Sequence, residues 1–345
     1  MKVLAIETTC DETAAAVVES CGAGVKVISN VVASSVLMHQ KYGGIVPEVA
    51  AREQIKSMVP VLTEAVNDDK DSIDGIAVSY GPGLMGSLLV GVESAKALAW
   101  AWQKPLYAVN HMAAHIFANW LVENEITEVP KFPSVGLVVS GGHTDLILMK
   151  SVKDWKWIGG TRDDAVGEAF DKVARLLGLP YPGGPEIQKA AERVQERNFQ
   201  FPNSNDHKFK LPRPLLKEDN LDMSFSGLKA AITKIVTGLG EIDEETRDML
   251  AWEFSEAVRE VLIKKTMKAV EIYKPKCVLL AGGVAANKQL REVLKTAVKS
   301  VGIKYFCPEL KYCGDNAAMV GAAAIIAPRE IKPVDLKPDP SVATV

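Results

Sequence analysis

His111 and His115 lie four residues apart in NHMAAHIFANW, an apolar stretch at 110–120. On a helix that spacing puts both imidazoles on one face, where they could ligate one metal ion. Two ordinary part-buried histidines are the plainer reading, and spacing alone leaves both open. The chain has only five histidines, which makes a chance pair less expected. A third ligand would be needed, and Asp315 in CGDNAAM, at an expected helix start, is a candidate. A zinc peptidase of the H-E-x-x-H type needs glutamate after the first histidine. Met112 stands there, so the general base of peptide hydrolysis is missing.

Other residue types suit ligand binding. The turn ETTCDET gathers Glu7, Asp11 and Glu12 among hydroxyls. Three acids in a tight turn repel one another, so fold stability gives little reason for them, whereas a cation or amine and hydroxyl groups would. Glycine-rich turns recur at 81–86 (GPGLMG), 140–144 (SGGHT), 181–185 (YPGGP) and 281–287 (AGGVAAN). Such turns let a backbone approach a ligand and leave amide N–H groups for anions. Together they argue for a nucleotide or acyl-phosphate site outside the Rossmann and P-loop classes. Asn287 either caps the helix that follows or hydrogen-bonds a ligand. In GEAFDKVARLLG, Glu168 and Lys172 can form an ordinary i,i+4 pair, while Asp171 either shares that solvated face or points into a cleft toward substrate hydroxyls. The segment 208–234 mixes Lys208, Lys210, Arg213, Lys217, Lys229 and Lys234 with Phe209 and Phe225. It reads as a solvated loop or as a local surface for a polynucleotide, diluted by Glu218, Asp219 and Asp222.

These residues need elements to hold them. The 345 residues suit two domains, and 48% hydrophobic with 24% charged content is ordinary for a soluble globular chain. A net charge of −3 advertises no general affinity for nucleic acid. Five cysteines without C-x-x-C spacing read as free thiols in a reducing cytoplasm, with Cys10 and Cys313 as neighbours of the chemistry. MKVLAIETT does not read as a signal peptide, and no apolar run is long enough to span a membrane. Val3–Ile6 and Ala14–Val18 are expected to form a hairpin, Val25–Ala33 a third strand, and Pro47 to open a helix in which Pro60 marks a kink or break. A strand and glycine turn follow from Asp74, then an apolar helix, the strand PLYAVNH, and a helix from His111 to about Val122. VGLVVSGGHTDLILMK repeats the apolar–polar–apolar form of the first hairpin, which suggests a duplicated α/β architecture. Helices are expected over DDAVGEAFDKVARLLGL, after YPGGP and over Glu244–Tyr273, and a polar stretch over 197–226. A strand–turn–helix unit follows at CVLLAGGVAANKQL, then a strand, a loop, a helix from near Asp315, and an extended proline-rich tail.

ETTCDETAAAV, GGIVPEVAAR, YGPGLMGSLLVG, NHMAAH, VSGGHT, GEAFDKVARLLGLPYPGGP, SFSGLK, GGVAANKQLR and CGDNAAM occur in this order. By these motifs, over about residues 3–325, the chain resembles the bacterial type of the TsaD (Gcp) family, which makes threonylcarbamoyladenosine in tRNA. The resemblance implies an α/β fold of the actin/hexokinase/Hsp70-like (ASKHA) kind, two ribonuclease-H-like lobes with a cleft between. One lobe would comprise 1–110 plus about 311–345, the other 111–310 with helical and basic-loop insertions. It implies transfer of threonylcarbamoyl from threonylcarbamoyl-AMP to N6 of adenosine 37 in tRNAs reading ANN codons. It implies one divalent metal ion, iron or else zinc, on His111, His115 and Asp315. It places Val138, Val139, Ser140, Gly141, Gly142, Asp171, Gly184 and Asn287 at the substrate, and Asp11, an acid of the first turn, with His111 and His115 at the catalytic centre. It implies work in a cytoplasmic complex, with tRNA, a TsaB-like paralogue, a TsaE-like ATPase using ATP and magnesium, and a TsaC-type enzyme supplying the adenylate. The competing readings are a small-molecule kinase of the same superfamily, in which the histidine pair has no role, and a non-catalytic scaffold, which needs no metal triad.

Overall fold

The computed structural model describes residues 1–125, 127–196 and 209–344. Lys208 and the first part of the expected polar stretch, 197–208, lie outside them. Among the described residues, eleven strands form two sheets. The first contains β1 (Lys2–Glu7), β2 (Glu12–Cys21), β3 (Gly24–Ser34), β4 (Gly75–Gly81), β5 (Leu106–Asn110) and β11 (Glu330–Ile331). The second contains β6 (Ser134–Val139), β7 (Thr144–Met149), β8 (Trp155–Gly160), β9 (Cys277–Ala281) and β10 (Lys304–Phe306). Each begins as an antiparallel three-strand meander whose first strand then pairs in parallel with a later one: β3-β2-β1-β4-β5 in one, β8-β7-β6-β9-β10 in the other. The echo between the two hairpins in the sequence is therefore a repeat of topology. The last strand, β11, adds antiparallel to the β5 edge.

Both sheets are covered on both faces, which is why their central strands are nearly continuous apolar runs. In β6 and β7, Val135, Leu137, Val139, Leu146 and Leu148 face one core, and Val138, Ile147 and Met149 the other, as the two-residue strand period requires. The outer face of the first sheet carries α2 (Pro47–Val66) and α3 (Met85–Trp102). The outer face of the second carries α5 (Val166–Leu176), α6 (Gly183–Glu196), α7 (Ser226–Leu239), α8 (Glu244–Tyr273) and α9 (Lys288–Ser300). Between the sheets, one core joins α4 (His111–Phe117) and α10 (Ala317–Ile326) to inward-facing residues of both. A short α1 (Val36–Gln40) follows β3.

Several expectations change. Helix α2 runs unbroken through Pro60. That residue is on the exposed face, where water can serve the carbonyl that proline leaves without a donor. The helix from His111 ends at Phe117 and continues only as a 3-10 turn to Trp120. The last helix starts at Ala317, with Asn316 as its cap: its Oδ1 accepts from Met319 N at 3.1 Å. Strands β8 and β11 and helices α1 and α7 were not anticipated. The basic–aromatic reading of 208–234 loses its aromatic part. Phe225 is fully buried and Phe209 packs on the same core, so neither offers a face to a base. Arg213 is held by Glu253 and, at 2.9 Å, by Glu260. Of the GEAFDK readings, the i,i+4 pair forms, with Lys172 Nζ 2.9 Å from Glu168, while Asp171 turns elsewhere.

Candidate metal and ligand site

Helix α4 begins where β5 ends. The Asn110 side chain accepts from the Met112 and Ala113 amides at 2.9 and 3.1 Å, which fixes the first turn and places His111 at its start. One turn later His115 shares that face, the two rings edge-on with centroids 4.7 Å apart. Asp315 arrives just before α10, where the helix N-terminus favours a carboxylate. Its Oδ1 lies 3.6 Å from His111 Nε2 and 3.2 Å from His115 Nε2, and one ligand atom from each residue falls within 4.8 Å of the others.

This arrangement fits a metal ion. His115 is buried, and neither of its ring nitrogens has a hydrogen-bond partner, since the approach to Asp315 lacks hydrogen-bond geometry. Two orphaned nitrogens in an interior are costly unless something occupies them. Ligand atoms about 3–3.5 Å apart suit a cation about 2.0–2.1 Å from each. Burial opposes charge on His111, but Glu7 and Asp315 outweigh it and raise the imidazole to about 9. Burial likewise opposes the Asp315 carboxylate, but the charge of His111 and the nearness of His115 bring it down to about 2. The cluster is already arranged around alternating charge.

Behind His111 stands a buried support. His111 Nδ1 is 3.0 Å from Glu7 Oε2 and 3.2 Å from Thr9 Oγ1, and Glu7 also accepts from Thr9 N at 2.7 Å and Ser79 Oγ at 2.6 Å. Glu7 is therefore a satisfied interior group rather than part of an open acid cluster. The acids of the first turn divide: Asp11 and Glu12 line the cavity beside the triad, and Glu7 lies beneath it. Burial, with the charges of Asp315 and Asp11, holds Glu12 well above the usual carboxylate range.

His111 and Asp315 of the triad face a cavity of about 430 Å³ walled by the first turn (Thr9–Glu12), Gly83, Ser140–His143, Tyr181 and Gly283. A second cavity of about 480 Å³ is lined by Gly141, Phe170, Asp171, Gly184, Gln188, Gly283 and Asn287 among others. Gly141 and Gly283 line both, so the two are adjoining compartments. The structure thus brings Asp11, His111, Ser140, Gly141, Gly142 and Asp315 to one compartment, and Gly141, Asp171, Gly184 and Asn287 to the other. Val138 and Val139 line neither. Their side chains are buried in opposite cores, leaving only backbone to face a ligand. Asn287 is the cap of α9, its Oδ1 accepting from Leu290 N at 3.0 Å, and it also lines the cavity. Asp171 accepts from Gly183 N at 2.7 Å, and burial moves it above the ordinary value against that bond.

Glycine is required where these turns cross. Gly282 has φ +91°, and a Cβ there would stand 2.3 Å from the Val139 carbonyl oxygen. The first glycine turn has the G-x-G-x-x-G letter spacing of dinucleotide folds, but two of its glycines are filled by the protein's own backbone. A Cβ at Gly81 would collide with the Asp339 carbonyl, and one at Gly83 would stand 2.6 Å from that of Thr9. Sequence reasoning passed over Glu7 and Thr9 as supports, and over His143 and Tyr181 as cavity walls. The last two stood inside quoted glycine motifs, which was the only signal for them.

The repeated sheets and the divided cleft define a two-lobed ASKHA-type protein with a triad whose ligand atoms could hold a metal ion. Two solved HypF structures share the fold. One, in its phosphate- and nucleotide-bound form, gives a TM-score of 0.58 at 13% identity, over 95% of this chain and 46% of that chain. The other, from T. kodakarensis, gives 0.55 at 15% identity, over 94% and 47%. This chain therefore spans about half of HypF. The profile of TsaD, tRNA N6-adenosine threonylcarbamoyltransferase, matches residues 26–322. Transferases of that name are 46% identical in Moorella thermoacetica, over 93% of this chain and 90% of the relative, and 47% identical in Bacillus subtilis, over 95% and 90%. The chain belongs to the TsaD family of tRNA-modifying transferases. Membership sets aside the kinase and scaffold readings. No helix among the described residues is long and apolar enough to cross a membrane.

Proposed function

We propose that the adjoining cavities bind threonylcarbamoyl-AMP and pass its acyl group to N6 of adenosine 37 in tRNAs reading ANN codons, releasing AMP. The observation that carries this is the buried His115, whose nitrogens make no hydrogen bond and lie beside His111 and Asp315, two residues that wall a glycine-lined cavity. The nucleotide end is the compartment of Asp171, Gly184 and Asn287, with Asp171 facing ribose hydroxyls. Gly141 and Gly142 are exposed and line the cavity, and their turn offers backbone amides to the phosphate, as glycine turns favour anions. Val138, Val139 and Ser140 set the strand end from which that turn departs. His111, His115 and Asp315 would hold a divalent cation, iron or zinc, which would supply Lewis acidity toward the acyl carbonyl. The protein's own residues fix the acyl carbon against the incoming amine and keep bulk water away, which matters because an adenine amine is a weak nucleophile. Asp11 lies at the acyl end with the triad.

The lobes in this reading are 1–110 with about 311–345, and 111–310. The assignment is supported by sheets drawn from residues 2–110 with 330–331 and from 134–306. A chain of net charge −3 needs help to hold tRNA. A TsaB-like paralogue and a TsaE-like ATPase complete that surface, a TsaC-type enzyme supplies the adenylate, and the setting is cytoplasmic.

The test supplies threonylcarbamoyl-AMP, partners and an unmodified tRNA transcript, and quantifies modified nucleoside by mass spectrometry. Modification lost when adenosine 37 is replaced by guanosine supports the reading. No modified adenosine from the intact transcript would reject it. Asn287→Asp separates the two duties of that residue. The carboxylate still caps α9, so stability should stay within about 0.5 kcal/mol. Loss of the amide donor should raise the KM for the adenylate about tenfold. An unchanged KM would leave Asn287 a cap alone.

A further inference from the structure

His143 belongs to no metal ligand set and to none of the substrate positions above, yet it stands in the wall of the acyl compartment. Its backbone is pinned by a tight turn: Ser140 N donates to the His143 carbonyl at 2.9 Å, and His143 N donates to Ser140 Oγ at 3.1 Å. Among the described residues its ring makes no hydrogen bond and no ring contact, including with the triad. Resting on the function proposed above, we propose that His143 is the base that accepts the proton of the adenosine N6 amine during acyl transfer. The N6–C bond forms, the bond from the acyl carbon to the AMP phosphate oxygen breaks, AMP leaves with that electron pair, and the amine proton passes to the imidazole. Solvent later takes the proton, restoring the free base.

The other groups facing this space are poorly suited. Burial pushes the Cys10 thiol and the Tyr181 hydroxyl well above their usual values, so both keep their protons. Glu12 is held toward its neutral form. Asp11 is engaged by Cys10 and Glu12. His111, His115 and Asp315 are committed to one another. Among the described residues that wall this space, His143 is the imidazole left with an open ring and outside the triad. Burial lowers it below the ordinary histidine value of 6.5, and the charges of His111 and His115 lower it further against the pull of Asp145. Asp145 Oδ1 also accepts from Trp157 Nε1 at 2.8 Å. The sign follows directly: His143 is free base at neutral pH and loses that role only as pH falls through its lowered value.

The experiment measures single-turnover acyl transfer against pH for the parent, His143→Gln and His143→Ala, in the full chain with partners, supplied adenylate and tRNA. Both variants should lose about 10²–10⁴-fold in rate. They should lose the acid limb of the parent profile while keeping bound metal, adenylate affinity and the thermal midpoint, and added imidazole should partly restore His143→Ala. Variants within about fivefold of the parent, or slow variants that keep its acid limb or lose metal, would overturn the assignment. A parent that forms no modified adenosine would instead bring down the reading on which it rests.

Discussion

His115→Ala is expected to empty the triad of metal and to lower tRNA modification by about 10³-fold or more, the several kcal/mol a cation contributes at a developing charge. The same change should barely disturb folding. His115 is buried, so its loss removes packing, but it also removes two interior nitrogens that make no hydrogen bond in the protein. The two effects oppose, and the metal-free variant should unfold within about 1 kcal/mol of the metal-free parent. Elemental analysis, nucleoside mass spectrometry and a denaturant titration read the three quantities. A variant that keeps its metal, or works without it, would remove the histidine pair from the site. A large loss of stability in the metal-free comparison would make His115 an ordinary core residue.

Glu7→Gln should act one layer further in. Glu7 Oε2 takes both Ser79 Oγ and His111 Nδ1, while Oε1 takes the Thr9 amide. An amide in its place has one acceptor for these groups. If Oε1 stays with Thr9 N–H, the new NH2 faces His111 Nδ1, and the imidazole must carry its proton on Nε2, the atom that points at Asp315. That tautomer cannot ligate. The alternative orientation leaves the Thr9 amide unpaired. Either way the cation should bind about 10–100-fold more weakly, the usual effect of losing a carboxylate behind a ligating histidine. Competition with a chelator measures this at constant pH. Unchanged affinity would show that Thr9 Oγ1, 3.2 Å from the same nitrogen, suffices to orient the ring.

Much of this was legible from local pattern. Buried strands such as KVLAIE and CVLLA, the thirty-residue helix opening at Glu244 and the strand–turn–helix around Asn287 follow from apolar runs, caps and glycines. The His111/His115 pairing follows from the helix period. What stayed hidden was tertiary. WKWIGG is a half-exposed edge strand defined by its pairing with β7, and Glu330–Ile331 is a strand only because β5 offers an edge. Glu7 looked like one of three clustered acids because sequence does not say on which side of a turn a side chain falls. The division between Asp171, which reaches the cleft, and Glu168, which pairs with Lys172, needed the packing of α5 against α6.

Helix α10 and strand β11 follow the second sheet in the chain yet complete a sheet whose other strands precede it. Until residue 326 leaves the ribosome, the inner face of β1 and β2, with Val3, Ala5, Ala16 and Val18, has no α10 to cover it. The fit is close: a Cβ at Gly321 would stand 2.3 Å from Val18. The lobe built on β1–β5 therefore cannot finish folding before α10 is available, unlike a domain made of one continuous segment. Contacts spanning some 300 residues close last and at the highest entropic cost. A chain that lacks α10 leaves the inner apolar face of β1 and β2 uncovered, so this lobe depends for its closure on residues that follow the whole of the other one.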